Sequence, residues 1–273
     1  MNRPMDKAVI LARGLGTRMQ RRDAAAALDD RQASVAAGGI KALMPVGRPF
    51  LDYVLSALAA SGYRRVCLVV APEHEAVRRR YRDEAPPRRI EVDLAVQQEP
   101  NGTADAVLAA ESFAGQNPFL VINSDNYYPP QALEALRRED GPAVALFNAD
   151  SMFAASNISQ ERLASFAVGR IDRRGFLEQI VEKPDAAALA AMSRPLWISM
   201  NCWRFERSIF AACRRIGPSV RGELEIPDAV AHAVDRLGVP FRVVKVKAAV
   251  LDLTARADVA AVAAALENVE VDY

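Results

Sequence analysis

The sequence predicts an α/β fold in which a mixed, mostly parallel central sheet is flanked by helices. Three observations predict it. Short continuous apolar runs, the mark of strands buried on both faces, recur through the first 150 residues. Helical patterns fill the intervals between them, and a hairpin signal after residue 160 breaks the alternation. No Pro/Gly/Ser-rich linker divides the 273 residues, so the chain is read as one domain, 1–273, long enough to bury a substantial core.

The first strand is expected at 7–12 (KAVILA), with similar runs at 65–71, 90–96, 118–123 and 143–148. Helices are expected near 50–61, 73–82, 102–112 and 130–138. Alternation of this kind makes a parallel sheet covered by helices. The runs 164–171 and 176–182 flank Asp172-Arg173-Arg174-Gly175, a turn sequence that joins them as a hairpin. A strand at 196–205 precedes helices near 206–214 and 227–237. Strands near 240–247 and 249–252 follow, then an alanine-rich helix at about 255–267. The stretch at about 19–39, alanine-rich and charged, reads as an insertion containing a helix capped by Gly38 or Gly39.

Composition excludes several classes. Lys plus Arg number 35 and Asp plus Glu 34, so the net charge is +1 and no broad surface for nucleic acid is expected. Cys67, Cys202 and Cys213 are too few and scattered for a disulfide framework or a CxxC metal site, and read as small core residues. The apolar run near the N-terminus has five residues, short of a signal peptide, and no stretch approaches a membrane span. The expectation is a soluble, cytoplasmic protein without membrane partners.

Chemistry concentrates in six motifs. Leu11-Ala12-Arg13-Gly14-Leu15-Gly16-Thr17-Arg18 follows the first strand, where glycines let backbone N–H groups approach a phosphate or base. Met19 stands at the third glycine of a dinucleotide fingerprint, which argues against an oxidoreductase. Lys41-Ala42-Leu43-Met44-Pro45-Val46 comes next. In Gln97 to Ala106, Gly102-Thr103 opens a helix at a strand end, a suitable seat for a ligand. Asp125, in Ser124-Asp125-Asn126, and Asp252 each close an apolar strand, where open α/β sheets bind ligands and hold Mg²⁺. Glu182-Lys183-Pro184 ends the hairpin, and Arg221-Gly222-Glu223-Leu224-Glu225-Ile226-Pro227-Asp228-Ala229 opens a helix.

Taken in order, GxGTR, KxLxPV, QxxxxGTADA, SDN, EKP, RGELEIPDA and a late strand-end Asp resemble the sugar-phosphate nucleotidyltransferases, from about Lys7 to Leu266. The resemblance implies a single Rossmann-like nucleotidyltransferase domain that joins an NTP and a sugar 1-phosphate to give an NDP-sugar and pyrophosphate. It implies that Leu11, Gly14, Gly16, Thr17, Gln97, Gly102 and Thr103 line the nucleotide pocket. Arg18 and Lys41 would act on the phosphates, and Glu182, Lys183 and Asn201 on the sugar phosphate. Asp125 and Asp252 match the family's ligands for Mg²⁺ or Mn²⁺. NTP and sugar 1-phosphate are the implied partners, and a homo-oligomer is left open. Arg13 stands where the family has a small residue against the base, where it would either meet the base or reach a phosphate. Two alternatives stay open: a non-catalytic nucleotide- or NDP-sugar-sensing homologue, motivated by Arg13 and the 19–39 insertion, and the same chemistry on a non-sugar phosphate acceptor.

Overall fold

The computed structural model describes residues 4–273, leaving aside the side chains of residues 163 and 164. In chain order the strands are β1 (Lys7–Leu11), β2 (Pro45–Val46), β3 (Arg48–Pro49), β4 (Arg65–Val70), β5 (Glu91–Val96), β6 (Phe119–Asn123) and β7 (Asn126–Tyr127). They continue with β8 (Ala143–Asn148), β9 (Ala167–Ile171), β10 (Leu177–Val181), β11 (Trp197–Phe205), β12 (Arg242–Val246) and β13 (Leu251–Asp252).

One mixed sheet runs β5-β4-β1-β6-β11-β8-β12. β11 alone in that row is antiparallel to its neighbours. All five residues of β1 are buried between β4 and β6, as its unbroken apolar sequence requires. The predicted hairpin is β9–β10, with Gly175 at φ 85° and the Asp172 carboxylate accepting from the backbone N–H groups of Arg174 and Phe176. The first of these strands begins at Ala167, later than expected, because residues 160–165 wind into a 3₁₀ turn.

Alternate side chains of each strand feed two cores. Ile10, Leu68 and Ile122 face the helix Phe50–Ala60, which is buried on nearly every side. The reason is a second cover: the C-terminal tail crosses it, with the Ser56 hydroxyl between the Glu270 and Asp272 backbones. Its fully buried Asp52 is neutralised by Arg80 at 2.6 Å and accepts a hydrogen bond from the Tyr81 hydroxyl at 2.8 Å. Val9, Cys67 and Val121 face the opposite core, where Phe119 stacks on Phe210 and Trp203 on Phe205. All three cysteines are free and buried.

The 19–39 stretch contains the helix Asp30–Gly38, opened by a capping box between Asp29 and Gln32 and closed by Gly39 at φ 72°. It packs directly on the loop after β1. A Cβ on Gly16, which has φ 62°, would lie 2.1 Å from the Gly39 carbonyl oxygen, whereas a Cβ on Gly14 would meet nothing within 4 Å. Thermal denaturation of the two alanine variants separates these environments. Gly16→Ala is expected to lose more than about 1 kcal/mol. Gly14→Ala is expected to stay within about 0.5 kcal/mol of the parent. Equal losses would contradict this packing.

Candidate active site

The carboxyl ends of β1, β5 and β6 open onto one cleft, the position at which open α/β sheets bind ligands. A cavity of about 330 Å³ lies there. Its walls include Leu11, Gly14, Gly16, Thr17, Arg18 and Lys41 on one side and Gln97, Gly102 and Thr103 on the other. Gly102 is fixed by contact: its φ is 108°, and a Cβ would lie 2.4 Å from the Leu224 carbonyl oxygen. The Ala104 N–H donates to that oxygen at 2.9 Å, and the Leu224 N–H donates to the Asn101 carbonyl at 2.7 Å. Thr103 does not cap its own helix. Its hydroxyl oxygen accepts from the Ile226 N–H at 3.0 Å, so the Gly102-Thr103 pair anchors the 221–226 segment.

Arg13 also lines this cavity. It is buried across the strand ends, with Nε and Nη2 donating to the carbonyls of Gln97 and Gln98 at 3.5 and 3.3 Å. Gln97 in turn donates from Nε2 to the Gly102 carbonyl and to Asp105. The loop after β1 is thereby tied to the loop after β5.

A second cavity, of about 480 Å³, adjoins the first. Glu182, Lys183, Asn201 and Asp252 line it, and Arg18, Thr103 and Asp125 belong to both. Every residue to which the resemblance gives a role in the site therefore lies on one of two cavities that share a wall. Two of them carry unusual backbones: Lys183 at φ 42° and Asn201 at φ 53°. Non-glycine residues enter this region rarely, and such strain gathers at functional sites. Asn201 sits where β11 changes partners, from β9 at Ile198 and Ser199 to β6 at Trp203 to Phe205. The Tyr128 hydroxyl, donating to the Met200 carbonyl at 2.6 Å, holds the bulge.

The two aspartates meet through a pairing not anticipated from the sequence. β13 leaves the main sheet and pairs with β7, setting Asp252 opposite Asn126, and the Leu253 N–H donates to the Asp125 carbonyl at 2.8 Å. Burial, followed by the charge of Asp125, pushes the Asp252 carboxyl up; the Thr254 hydroxyl and Arg162 oppose the rise. Lys41 donates to Asp125, and Arg162 donates to Asp252 at 2.5 Å. Hard carboxylate oxygens suit Mg²⁺ or Mn²⁺. Among the described residues no group of three or more His, Cys, Asp or Glu side chains forms a metal cage. A cation here would complete its shell with water and phosphate oxygens, the manner in which Mg²⁺ binds beside phosphorylated substrates.

In the second cavity Arg221 donates to both oxygens of Glu225, from Nε at 3.0 Å and also from Nη2. Glu182 is open to the cavity yet closely surrounded, and burial, then the Glu225 charge, raises its carboxyl. Sequence reasoning left Arg162, Asn157, Arg221 and Glu223 without roles. The RGELE run was a signal for Arg221 and Glu223; no pattern marked Asn157 or Arg162.

A nucleotidyl transferase family model matches residues 34–253. The chain belongs to the nucleotidyl transferase family. Relatives of this nucleotidyl transferase include a glucose-1-phosphate thymidylyltransferase of Neisseria meningitidis serogroup A, 28% identical over 81% of this chain and 69% of the relative. They also include the UTP–glucose-1-phosphate uridylyltransferase AglF of Haloferax volcanii, 25% identical over 82% of each chain. A UDP-glucose pyrophosphorylase solved with UDP-glucose shares the fold, with a TM-score of 0.74 and 16% identity over 97% of this chain and 100% of the other. Among the described residues no helix is long and apolar enough to cross a membrane.

The Glu182 carboxyl gives a stability prediction. A pKa raised above the unfolded value favours the folded state in acid, and that advantage is lost as pH rises through the raised value. At neutral pH the ionised group therefore weighs against folding. Glu182→Gln is expected to raise the melting temperature at pH 7 and to give no gain well below the ordinary value of 4.5. A gain independent of pH would contradict the assignment.

Proposed function

We propose that this chain transfers a nucleotidyl group from an NTP to a sugar 1-phosphate, giving an NDP-sugar and pyrophosphate. The observation that carries this reading is the shared wall. Arg18, Thr103 and Asp125 belong at once to the cavity bounded by the glycine-rich loop and to the cavity bounded by Glu182, Lys183 and Asn201. Two ligands seated there would bring their phosphates together at Asp125. The names of the thymidylyl- and uridylyltransferase relatives support the same reaction class without deciding the base.

The step needs no protein nucleophile. A phosphate oxygen of the sugar 1-phosphate forms a bond to the α-phosphorus of the NTP. The bond from that phosphorus to the oxygen bridging the β-phosphorus breaks, and its electron pair leaves on pyrophosphate. The obstacle is the meeting of two polyanions, so the residues chiefly neutralise and align. Lys183 would hold the sugar phosphate with its attacking oxygen toward the shared wall. Arg18 and Lys41 would neutralise the triphosphate and the departing pyrophosphate. Gln97 and Gly102 would seat the base, and Glu182 and Asn201 the sugar hydroxyls. A divalent cation held by Asp125 and Asp252 would supply further neutralisation of the phosphates.

Pyrophosphate release across a panel of NTPs and sugar 1-phosphates, extended to cyclitol phosphates, tests the reading. At least one sugar 1-phosphate should turn over in Mg²⁺ or Mn²⁺. Asp125→Asn and Asp252→Asn should each lower kcat/KM on the order of a hundredfold or more. Lys183→Ala should raise the KM for the acceptor about tenfold or more. Turnover with no pair, or only with non-sugar acceptors, would overturn the proposal.

A further inference from the structure

The fold does not leave the two carboxylates proposed for the cation bare. Each is paired with a cation of the chain itself, Asp125 with Lys41 and Asp252 with Arg162. Lys41 already has a place in the proposed reaction; Arg162 has none. It comes from the 3₁₀ turn Gln160–Ser165, 90 residues before Asp252 in sequence. Its Nη2 donates to Asp252 Oδ2 at 2.5 Å, and its Nη1 donates to Asp258 Oδ1 at 3.1 Å. Its guanidinium also lies 5.7 Å from the ring centroid of Phe166.

The other Asp252 oxygen, Oδ1, accepts from the Thr254 hydroxyl at 2.7 Å and from the Asn126 amide at 3.3 Å. Both oxygens are therefore engaged by the chain. The Asp252 side chain is only 5% exposed, whereas that of Arg162 is 29% exposed. The acid is enclosed, and the base can reach solvent. Arg162 is also not what keeps Asp252 in position. The Asn157 side chain does that through the backbone, accepting from the Asp252 N–H at 2.9 Å and donating to its carbonyl at 2.7 Å.

A buried carboxylate stripped of its partner strongly destabilises a fold, so the pair has a function before any ligand arrives. A guanidinium offers that oxygen one charge and a hydrogen bond; a divalent cation offers two charges and a direct bond. We propose that Arg162 is a placeholder for the divalent cation: it neutralises Asp252 in the ligand-free protein and is displaced from Oδ2 when the cation binds. Once displaced, it stays tethered to Asp258 and Phe166. Phe166, with Ser165 and Ala167, lines the larger cavity, so the freed charge remains beside the sugar-phosphate space. The inference rests on the assignment of Asp125 and Asp252 to the cation and is independent of the substrates.

The test is calorimetric titration of Mn²⁺ alone into the full ligand-free chain, paired with thermal denaturation in EDTA and in Mn²⁺. Arg162→Met should bind Mn²⁺ about tenfold or more tightly than the parent, the worth of a charge-assisted hydrogen bond no longer to be broken. Its melting temperature should fall in EDTA and recover in Mn²⁺ by more than the parent gains. The gain in affinity should vanish in Arg162→Met/Asp252→Asn. Unchanged or weaker Mn²⁺ binding, a loss of stability that Mn²⁺ does not repair, or a gain that survives Asp252→Asn would each overturn the proposal. Should the Met variant fail to fold, Arg162→Lys decides: tighter Mn²⁺ binding than the parent supports the placeholder, and equal or weaker binding overturns it. Failure of every NTP and acceptor pair to react, with tighter Mn²⁺ binding in Arg162→Met, would remove the proposed reaction and leave this inference standing.

Discussion

Two like charges held near one another organise this site. Asp125 and Asp252 approach because β7 and β13 pair outside the main sheet, and the burial that encloses Asp252 removes the water that would screen it from Asp125. Such a pair persists only if cations are supplied. The chain supplies Lys41 from just after the 19–39 insertion and Arg162 from a turn before the hairpin. Segments far apart in sequence are thus drawn to one point by charge, over a framework that apolar strands alone would build.

The framework explains why there are two chambers and not one. Strand β11 runs antiparallel to its neighbours and changes partners at Asn201, so the β9–β10 hairpin splays away where β6 takes over. The space opened by that fork is the larger cavity. The smaller one lies over the ends of β1 and β5, where Arg13 ties two loops by their carbonyls. Gly102 lets the 223–226 segment pass close enough for Glu223, beside Thr103, to line both. In the proposed reaction a nucleotidyl donor and its acceptor would be seated separately and meet at one place.

Much of this was legible in the sequence. The buried parallel strands announced themselves as unbroken apolar runs, and the hairpin by Asp172 to Gly175, because each signal is local and strong. The candidate site residues were legible as a series of motifs, most of them at the end of a strand. What was not legible depended on distance or brevity. β7 and β13 have two residues each, too short for any period, yet they bring Asp252 to Asp125. Nothing around Arg162 in GlnGluArgLeu distinguishes it from a solvated surface arginine; only the folded chain brings it to Asp252. Arg13 was visible as an anomaly, but its direction depended on backbone carbonyls that sequence does not place.

A crystal structure of the full chain with an NDP-sugar and Mn²⁺ tests the two-chamber arrangement most directly. The base should lie between Leu11, Gln97 and Gly102, the pyrophosphate bridge beside Asp125, and the sugar against Glu182, Lys183 and Asn201. A sugar bound on the glycine-loop side, or a bridge remote from Asp125, would contradict it.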